Sequence, residues 1–488
     1  MQVEVSRKET KFLPDPGRVI ARFLYTNDER SKQIIRQVLA MPEEQVKATL
    51  NQVLRAYSTR HRNISTIFEK HFKKLHHLFD AMNIDSGELS KQQEALLGSY
   101  FTMEYSIESA AFFNPSVVED PYQSDMGMGE KRVIFSFRAT GEGHISSIVF
   151  RSAVLDKDSN LSVEPVGDML AEAERIKRQV YTQDTFRRKL NEICKDESKQ
   201  YADDVLEKLG EEFTYGELKK AVDQVRRENQ LSDDKKLAIN QIMWLALSHY
   251  EIDFSLDSAI SERVIFPISE TEKNGIEDAR FVKFVDDDGE ITYYAVYTAF
   301  DGSTILPKLL ETKDFYHFKC SPVHGELAQN KGMALFPRKI NGKYAALCRI
   351  DGVNNYLAYT DNINIWREAT RIQEPQYPWE FIQVGNSGSP LETEDGWLVI
   401  THGVGPMREY VMGAALYDLE DPSIEIGRLM SPLLSPNDEE REGYVPNVVY
   451  SCGSMIHNDD LVIPYAMSDY ASTYATVKLK DLLQALKK

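Results

Sequence analysis

Hydrophobic positions along the chain change their period twice, and each change marks a new kind of structure. Over roughly the first hundred residues the spacing is helical. Val46, Leu50, Val53, Leu54 and Tyr57 form one apolar stripe, and Ile64, Ile67, Phe68, Phe72, Leu75, Leu78 and Phe79 form a second. Pro42 followed by Glu43 and Glu44 suits a first helical turn, because proline fits the first helical position and carboxylates favour the positive helix end. From about Glu104 the apolar runs become short and β-type: residues 133–138 and 144–150 flank Gly141-Glu142-Gly143, a hairpin signature. Helical periodicity returns between about Asp168 and His249, loosely at Val205, Leu206 and Leu209 and clearly at Leu237, Ile242, Leu245 and Leu247. After Ser261 the chain is short strands and turns. Strand-like runs at 280–285, 291–298, 344–350, 397–402, 411–417 and 461–465 are separated by turns such as Asp288-Gly289, Asn341-Gly342 and Asp395-Gly396.

Many strands at near-even spacing, without alternating helices, exclude a parallel α/β sheet and leave sandwich, barrel or propeller. The β pattern begins near residue 105, is interrupted, and resumes to about 480. A connecting loop between radial blades tolerates such an insertion better than a closed barrel does. The expected organisation is mainly β: a helical segment over 1–104, a β-propeller built from 105–167 and 251–488, and a helical insertion over 168–250.

Composition narrows the function classes. The 488 residues carry 57 Lys+Arg against 76 Asp+Glu, a net charge of −19, which argues against a nucleic-acid partner. An apolar fraction of 42% supports a real core, and 26 Gly with 19 Pro exclude disordered and collagen-like classes. The four cysteines, Cys194, Cys320, Cys348 and Cys452, have neither disulfide-scaffold nor metal-ligand spacing and read as reduced core thiols. The N-terminus has no apolar signal region and no run of 18 apolar residues occurs, so a soluble, cytoplasmic protein without membrane contact is expected.

No P-loop, GxGxxG after a strand, HExxH or GxSxG elbow is present. What remains is polar clusters on turns of the β region. In Asn274-Gly275-Ile276-Glu277-Asp278-Ala279-Arg280, two adjacent carboxylates precede an arginine, an arrangement that can fix the protonation state of one carboxylate. Its plainer reading is a turn with a surface ion pair. In Asn330-Lys331-Gly332, preceded by Glu326, Lys331 can offer a point charge to an anion or simply end a strand in solvent, as can Arg338. His402 closes the run Trp397-Leu398-Val399-Ile400 and is flanked by Gly403; it can bind a substrate oxygen or an anion, or sit satisfied in the core. His61, His71, His76 and His77 lie on a Lys-rich helix and read as a solvated face. Tyr356, Tyr359, Trp366, Tyr377, Trp379, Trp397, Tyr410, Tyr444 and Tyr465 crowd the β region, as in sugar-binding clefts and equally in propeller cores.

Taken in order, these clusters resemble glycoside hydrolase family 130, mannoside phosphorylases and mannosidases on a five-bladed β-propeller. The resemblance spans about 105–155 and 260–480. It runs through Asn114-Pro115-Ser116, Phe137-Arg138-Ala139, Gly275-Ile276-Glu277-Asp278-Ala279-Arg280, Tyr297-Thr298-Ala299-Phe300, Asn330-Lys331 with Leu335-Phe336-Pro337, and Gly342-Lys343-Tyr344 with Arg349. It continues through Gly385-Asn386-Ser387-Gly388-Ser389-Pro390, Gly396-Trp397-Leu398 with His402-Gly403-Val404, Ala415-Leu416-Tyr417-Asp418-Leu419 with Asp421-Pro422, and Val445-Pro446-Asn447-Val448.

The resemblance implies an inverting enzyme in which Asp278 is the general acid, relaying its proton through a mannose hydroxyl; Ala279 stands where the family has proline. It further implies inorganic phosphate as co-substrate, held by Lys331 and His402 with Arg280 or Arg138, because a dianion must be neutralised on the face opposite the leaving group. Substrate contacts are expected from Asn114, Glu277, Arg349, Asp351, Tyr465 and Asp469. No metal or organic cofactor is expected. Asp301 stands where an arginine is expected, which leaves an inverting β-mannosidase open as the alternative. Its base would be Glu326, and its two carboxyls would stand roughly 6.5–9.5 Å apart to admit water. A non-catalytic glycan-binding propeller is a third reading. The helical segment over 1–100 is expected to serve as a packing layer or an oligomer contact.

Overall fold

The computed structural model describes residues 3–173, 175–177, 180–193, 202–228, 232–302 and 305–487. The chain is mainly β. Among the described residues five antiparallel sheets have four or more strands. The first joins Ala111–Glu119, Lys131–Thr140 and Ser146–Leu155 to Val264–Ile265. The second orders Gly275–Val285, Ile291–Phe300, Ile305–Thr312 and His317–Pro322, then adds Tyr250–Asp253 and Arg175–Lys177 at its outer edge. The third is Ala334–Leu335, Tyr344–Cys348, Asn355–Thr360 and Ala369–Gln373. The fourth is built on Gln383–Asn386, Gly396–Val404, Tyr410–Tyr417 and Glu425–Arg428, and the fifth on Val449–Tyr450, Asp460–Met467 and Ala471–Lys478.

Successive side chains of a strand point to opposite faces, so each sheet feeds two different interfaces. Phe281 packs with Val118, Ile134 and Phe150 of the first sheet, whereas the next residue, Val282, packs with Leu335, Ala346 and Ala358 of the third. Ala346 and Leu347 divide in the same way, Leu347 meeting Trp397 and Val399 of the fourth sheet. Leu398 and Ile400 then meet Ile463 and Ala475 of the fifth, and Val462 and Tyr474 return to Phe135 and Val149 of the first. The interfaces therefore follow one another around a closed, propeller-like ring. Closure is non-covalent: Val5–Arg7 pairs with Ala475–Val477, so the N-terminal stretch includes a strand of the fifth sheet as well as helices.

The helices from Asp28–Leu39 to Lys91–Tyr100 pack around Ile35, Leu50, Phe72, Leu75, Leu78, Leu96 and Leu97. A Cβ at Gly98 would lie 2.0 Å from the carbonyl oxygen of Phe68, so only glycine permits Ile64–Lys73 and Lys91–Tyr100 to approach so closely. Pro42 is the N-cap, one position before the helix Glu43–Tyr57, rather than its first residue. The histidines on this segment do not share one solvated face. His61 is buried with its Nε2 2.8 Å from Glu104, and His71 is buried against the hydroxyl of Thr102 at 2.7 Å. Gln183–Ile193, Tyr215–Glu228 and Asp233–Ser248 share a core of their own around Phe186, Leu218, Val222 and Ile242. The expected span 168–250 is not purely helical, because Arg175–Lys177 pairs with Tyr250–Asp253. Cys320, Cys348 and Cys452 are free and buried; Cys194 lies outside the described residues.

Candidate active site

Two bulges build the centre of the site. The ladder between Ala111–Glu119 and Lys131–Thr140 slips between Phe113 and Ser116, and that between Gly275–Val285 and Ile291–Phe300 slips between Glu277 and Arg280. Inside these slips Asn114 has φ +51° and Asp278 φ +55°. Asn and Asp tolerate the left-handed region better than most residues, and a bulge re-aims a side chain out of its ladder. As a result the two side chains meet across adjacent sheets, Asn114 Nδ2 donating to Asp278 Oδ1 at 2.6 Å.

Around them charges alternate. Arg138 donates to Glu277 Oε1 at 2.7 Å and lies 3.6 Å from Asp278 Oδ1, while Lys331 pairs with the other oxygen of Glu277. Burial pushes the Asp278 carboxyl up, but Arg138, Lys331, the Asn114 hydrogen bond and Arg280 together hold it below its ordinary value. Asp469 faces the same cluster. Burial first, and then the negative charge of Asp278, push it up to about 6. The two carboxyls are thus driven apart by one environment, the condition under which an acid and a base are told apart.

A second, cationic group adjoins the first. Arg280 is buried and donates to the hydroxyl of Tyr450 at 2.6 Å. Gly332, next to Lys331, has φ +94°, and a Cβ there would lie 3.5 Å from Arg349 Cδ and 3.8 Å from Arg280 Nη2. Arg349 donates to the carbonyl of Gly352 at 2.8 Å and to Gln383 at 3.2 Å, and its Nη1 stands 3.2 Å from His402 Nε2. A guanidinium only donates, so His402 Nε2 accepts, and Nδ1 carries the hydrogen given to the carbonyl of Asn386 at 3.0 Å. Burial, with the charges of Arg349 and Arg280, keeps His402 well below its ordinary value and therefore neutral. Both ring nitrogens are engaged, and the histidine orients Arg349 rather than adding a charge. Tyr450 lies edge-on to His402 at 5.0 Å between ring centres, and Tyr410 stacks on it at 6.3 Å. Asn386 Nδ2 donates to the carbonyl of Gly332 at 2.8 Å, tying the fourth sheet to the Lys331 loop.

Among the described residues, Asn114 Oδ1, Arg138 Nε, Arg280 Nη1 and Arg349 Nε are buried without a protein partner. Buried polar atoms are rarely left unmatched, and four of them converging on one cluster of carboxylates and cations mark a polar-ligand site. No group of three or more metal-ligating side chains occurs among the described residues.

The expected site residues thus divide. Asn114, Arg138, Glu277, Asp278, Arg280, Lys331, Arg349, His402 and Asp469 are brought together. Asp351 stands at the edge, its carboxylate spent on the backbone N–H groups of Val353 and Asn354, both at 2.9 Å, and on the Tyr356 hydroxyl at 2.9 Å. Glu326 is exposed, 3.5 Å from Arg367, and makes no contact with the Asp278 cluster. Tyr465 is buried in the core of the fifth sheet, where its hydroxyl donates to Glu440 at 2.6 Å. Tyr450 and Asn386 were not singled out from the sequence as site residues. Asn386 falls in a quoted motif, whereas Tyr450 carries no local signal, since only folding sets it on Arg280.

The sequence model of the family described as beta-1,4-mannooligosaccharide phosphorylase matches residues 249–488, which hold every residue of the cluster except Asn114 and Arg138. A 1,2-beta-oligomannan phosphorylase of Thermoanaerobacter is 37% identical over 221 residues, 44% of this chain and 72% of that protein. A beta-1,2-mannobiose phosphorylase of Listeria innocua is 32% identical over 244 residues, 48% of this chain and 65% of that one. A solved structure of a Listeria innocua beta-1,2-mannobiose phosphorylase with beta-1,2-mannobiose superposes with a TM-score of 0.47 at 24% identity, over 78% of this chain and 92% of the other. With the matched span falling on the β region that carries Asp278, Lys331 and His402, the chain belongs to glycoside hydrolase family 130.

Proposed function

We propose that the protein is an inverting phosphorylase of β-mannosides, releasing mannose 1-phosphate, and that its five sheets are the blades of a propeller carrying 168–250 as a helical insertion. The observation that carries this reading is the pair of guanidinium groups, buried Arg280 and half-buried Arg349, flanking Gly332 beside Lys331 and next to Asp278. Such a cradle suits a phosphate dianion, which needs several fixed donors and neutralised charge.

Phosphate in that cradle also readies the acid. Lys331 and Arg280 are among the cations that hold Asp278 ionised, and a dianion between them cancels part of their field. The carboxyl then takes up a proton from solvent and passes it through a mannose hydroxyl to the leaving oxygen. Phosphate attacks the anomeric carbon from the opposite face, so the C–O bond to the leaving sugar breaks as the C–O bond to phosphate forms, with inversion. Hydrolysis is disfavoured because Glu326, its expected base, faces solvent and pairs with Arg367. Inorganic phosphate is the co-substrate, without a metal.

The relatives named for 1,2-beta-oligomannan and beta-1,2-mannobiose make a β-1,2 linkage the first to test. Incubation with β-1,2-mannobiose is expected to yield mannose 1-phosphate only when phosphate is supplied, as the α anomer by NMR. Mannose released equally fast with and without phosphate, and no sugar phosphate, would overturn phosphorolysis.

A further inference from the structure

Two edge strands, one in each of the first two sheets, lead away from the Asp278 cluster. In the first sheet the run is from Asn114 to Glu119, and in the second from Asp278 to Val285. At about 3.3 Å per residue these runs span roughly 16 and 23 Å. At their far ends lies a cavity of about 340 Å³ lined by strand residues of the first, second, fourth and fifth sheets and by connecting residues, among them Glu119, Lys283, Arg338, Ser389 and Ser454. It is separate from the catalytic cluster and shares no residue with it.

Its chemistry differs from that of a solvent-filled hole. Lys131 and Lys283 both reach Glu119, each at 3.1 Å, and these cations together hold that carboxyl below its ordinary value despite burial. Arg338 forks onto Glu392 at 2.9 and 2.8 Å. Three cations face two carboxylates, a local excess of one positive charge in a chain of net charge −19. The hydroxyl oxygens of Ser389 and Ser454 are buried here without a partner among the described residues, and Val285, Pro337 and Pro390 supply apolar walls. Two lysines sharing one carboxylate keep ammonium hydrogens free for an anion, while hydroxyls beside an apolar wall suit a sugar ring, and the volume lies at the small-ligand end of binding cavities.

We propose that this cavity is a second binding site, taking a phosphorylated monosaccharide. The choice of probe rests on the phosphorolysis proposed above, whereas the site itself does not. Titration of the intact protein with mannose 1-phosphate, followed by calorimetry and phosphorus NMR, is expected to show two saturable sites. The double variant Lys131→Gln, Lys283→Gln should weaken one of them at least tenfold and leave turnover of β-mannobiose within twofold. Ser454→Ile, which fills the cavity without touching the charges, should do the same and serves if the double variant fails to fold. A single site that Ser454→Ile leaves unaltered, or two sites both unaffected by Ser454→Ile, would overturn the proposal. Inorganic phosphate occupying the second site as tightly as mannose 1-phosphate would overturn the sugar part of the assignment. If phosphorolysis itself is wrong, the site lost is the one insensitive to these substitutions, so the two failures are distinguishable.

Discussion

At the scale of single residues, the site works by setting charge states that free side chains would not have. His402 is neutral because burial and two guanidinium groups oppose a third positive charge, so in the proposed phosphate cradle the charge comes from Arg349, which His402 orients. Arg349→Met is accordingly expected to raise the phosphate KM at least tenfold, with a smaller change in the sugar KM, by initial rates at varied phosphate. Asp469 supplies a pH signature. Its carboxyl moves from 3.8 to about 6 on folding, so between these values the unfolded chain has lost the proton that the folded one keeps. Stability from this group is therefore present below pH 3.8 and falls as pH rises through about 6. Asp469→Asn should flatten that part of the stability curve in denaturant titrations from pH 3.5 to 7; an unaltered slope would count against the assignment.

At the scale of elements, the segment that carries Asp278 is anchored six residues earlier by Glu272. That carboxylate is fully buried and receives Lys308 at 2.6 Å, the hydroxyl of Tyr297 at 2.7 Å, the hydroxyl of Tyr250 at 3.0 Å and the backbone N–H of Ile268 at 3.1 Å. The helix Asp233–Ser248 packs on the same turn, Glu270–Glu272, so this helix braces the approach to the strand Gly275–Val285 that carries Asp278. Removing one member of a buried ion pair leaves an uncompensated charge, typically 3–5 kcal/mol. Lys308→Met should cost about that much in chemical denaturation, whereas Glu272→Gln with Lys308→Met should recover part of it.

At the scale of the molecule, the ring is closed by pairing of its two chain ends. Val5–Arg7 is hydrogen-bonded along Ala475–Val477, and Arg7 also reaches Glu440 at 3.1 Å. An unclosed sheet edge exposes unpaired backbone and loosens the interfaces on both sides of it. Deleting residues 1–7 is therefore expected to lower Tm by several degrees and to speed amide exchange along Ala471–Lys478, with exchange at the third sheet little changed. Equal loss of protection in all sheets would argue against closure as the weak seam.

The sequence by itself determined a good deal: the alternation of helical and β periods, the turns, and Asp278, Lys331 and His402 in ordered motifs. These are local signals, written in spacings of two to four residues. Only the tertiary structure decided that His61 and His71 are buried, that Glu326 faces solvent and Tyr465 the core, and that Tyr450 joins the cluster. Burial and protonation depend on groups that are far away in sequence. Asn114 and Asp278 are 164 positions apart, yet their bond sets the centre of the site. The net charge of −19 belongs to the same lesson: it describes the average surface, while the cluster of Arg280, Arg349 and Lys331 is a local field that no sum over the chain reveals.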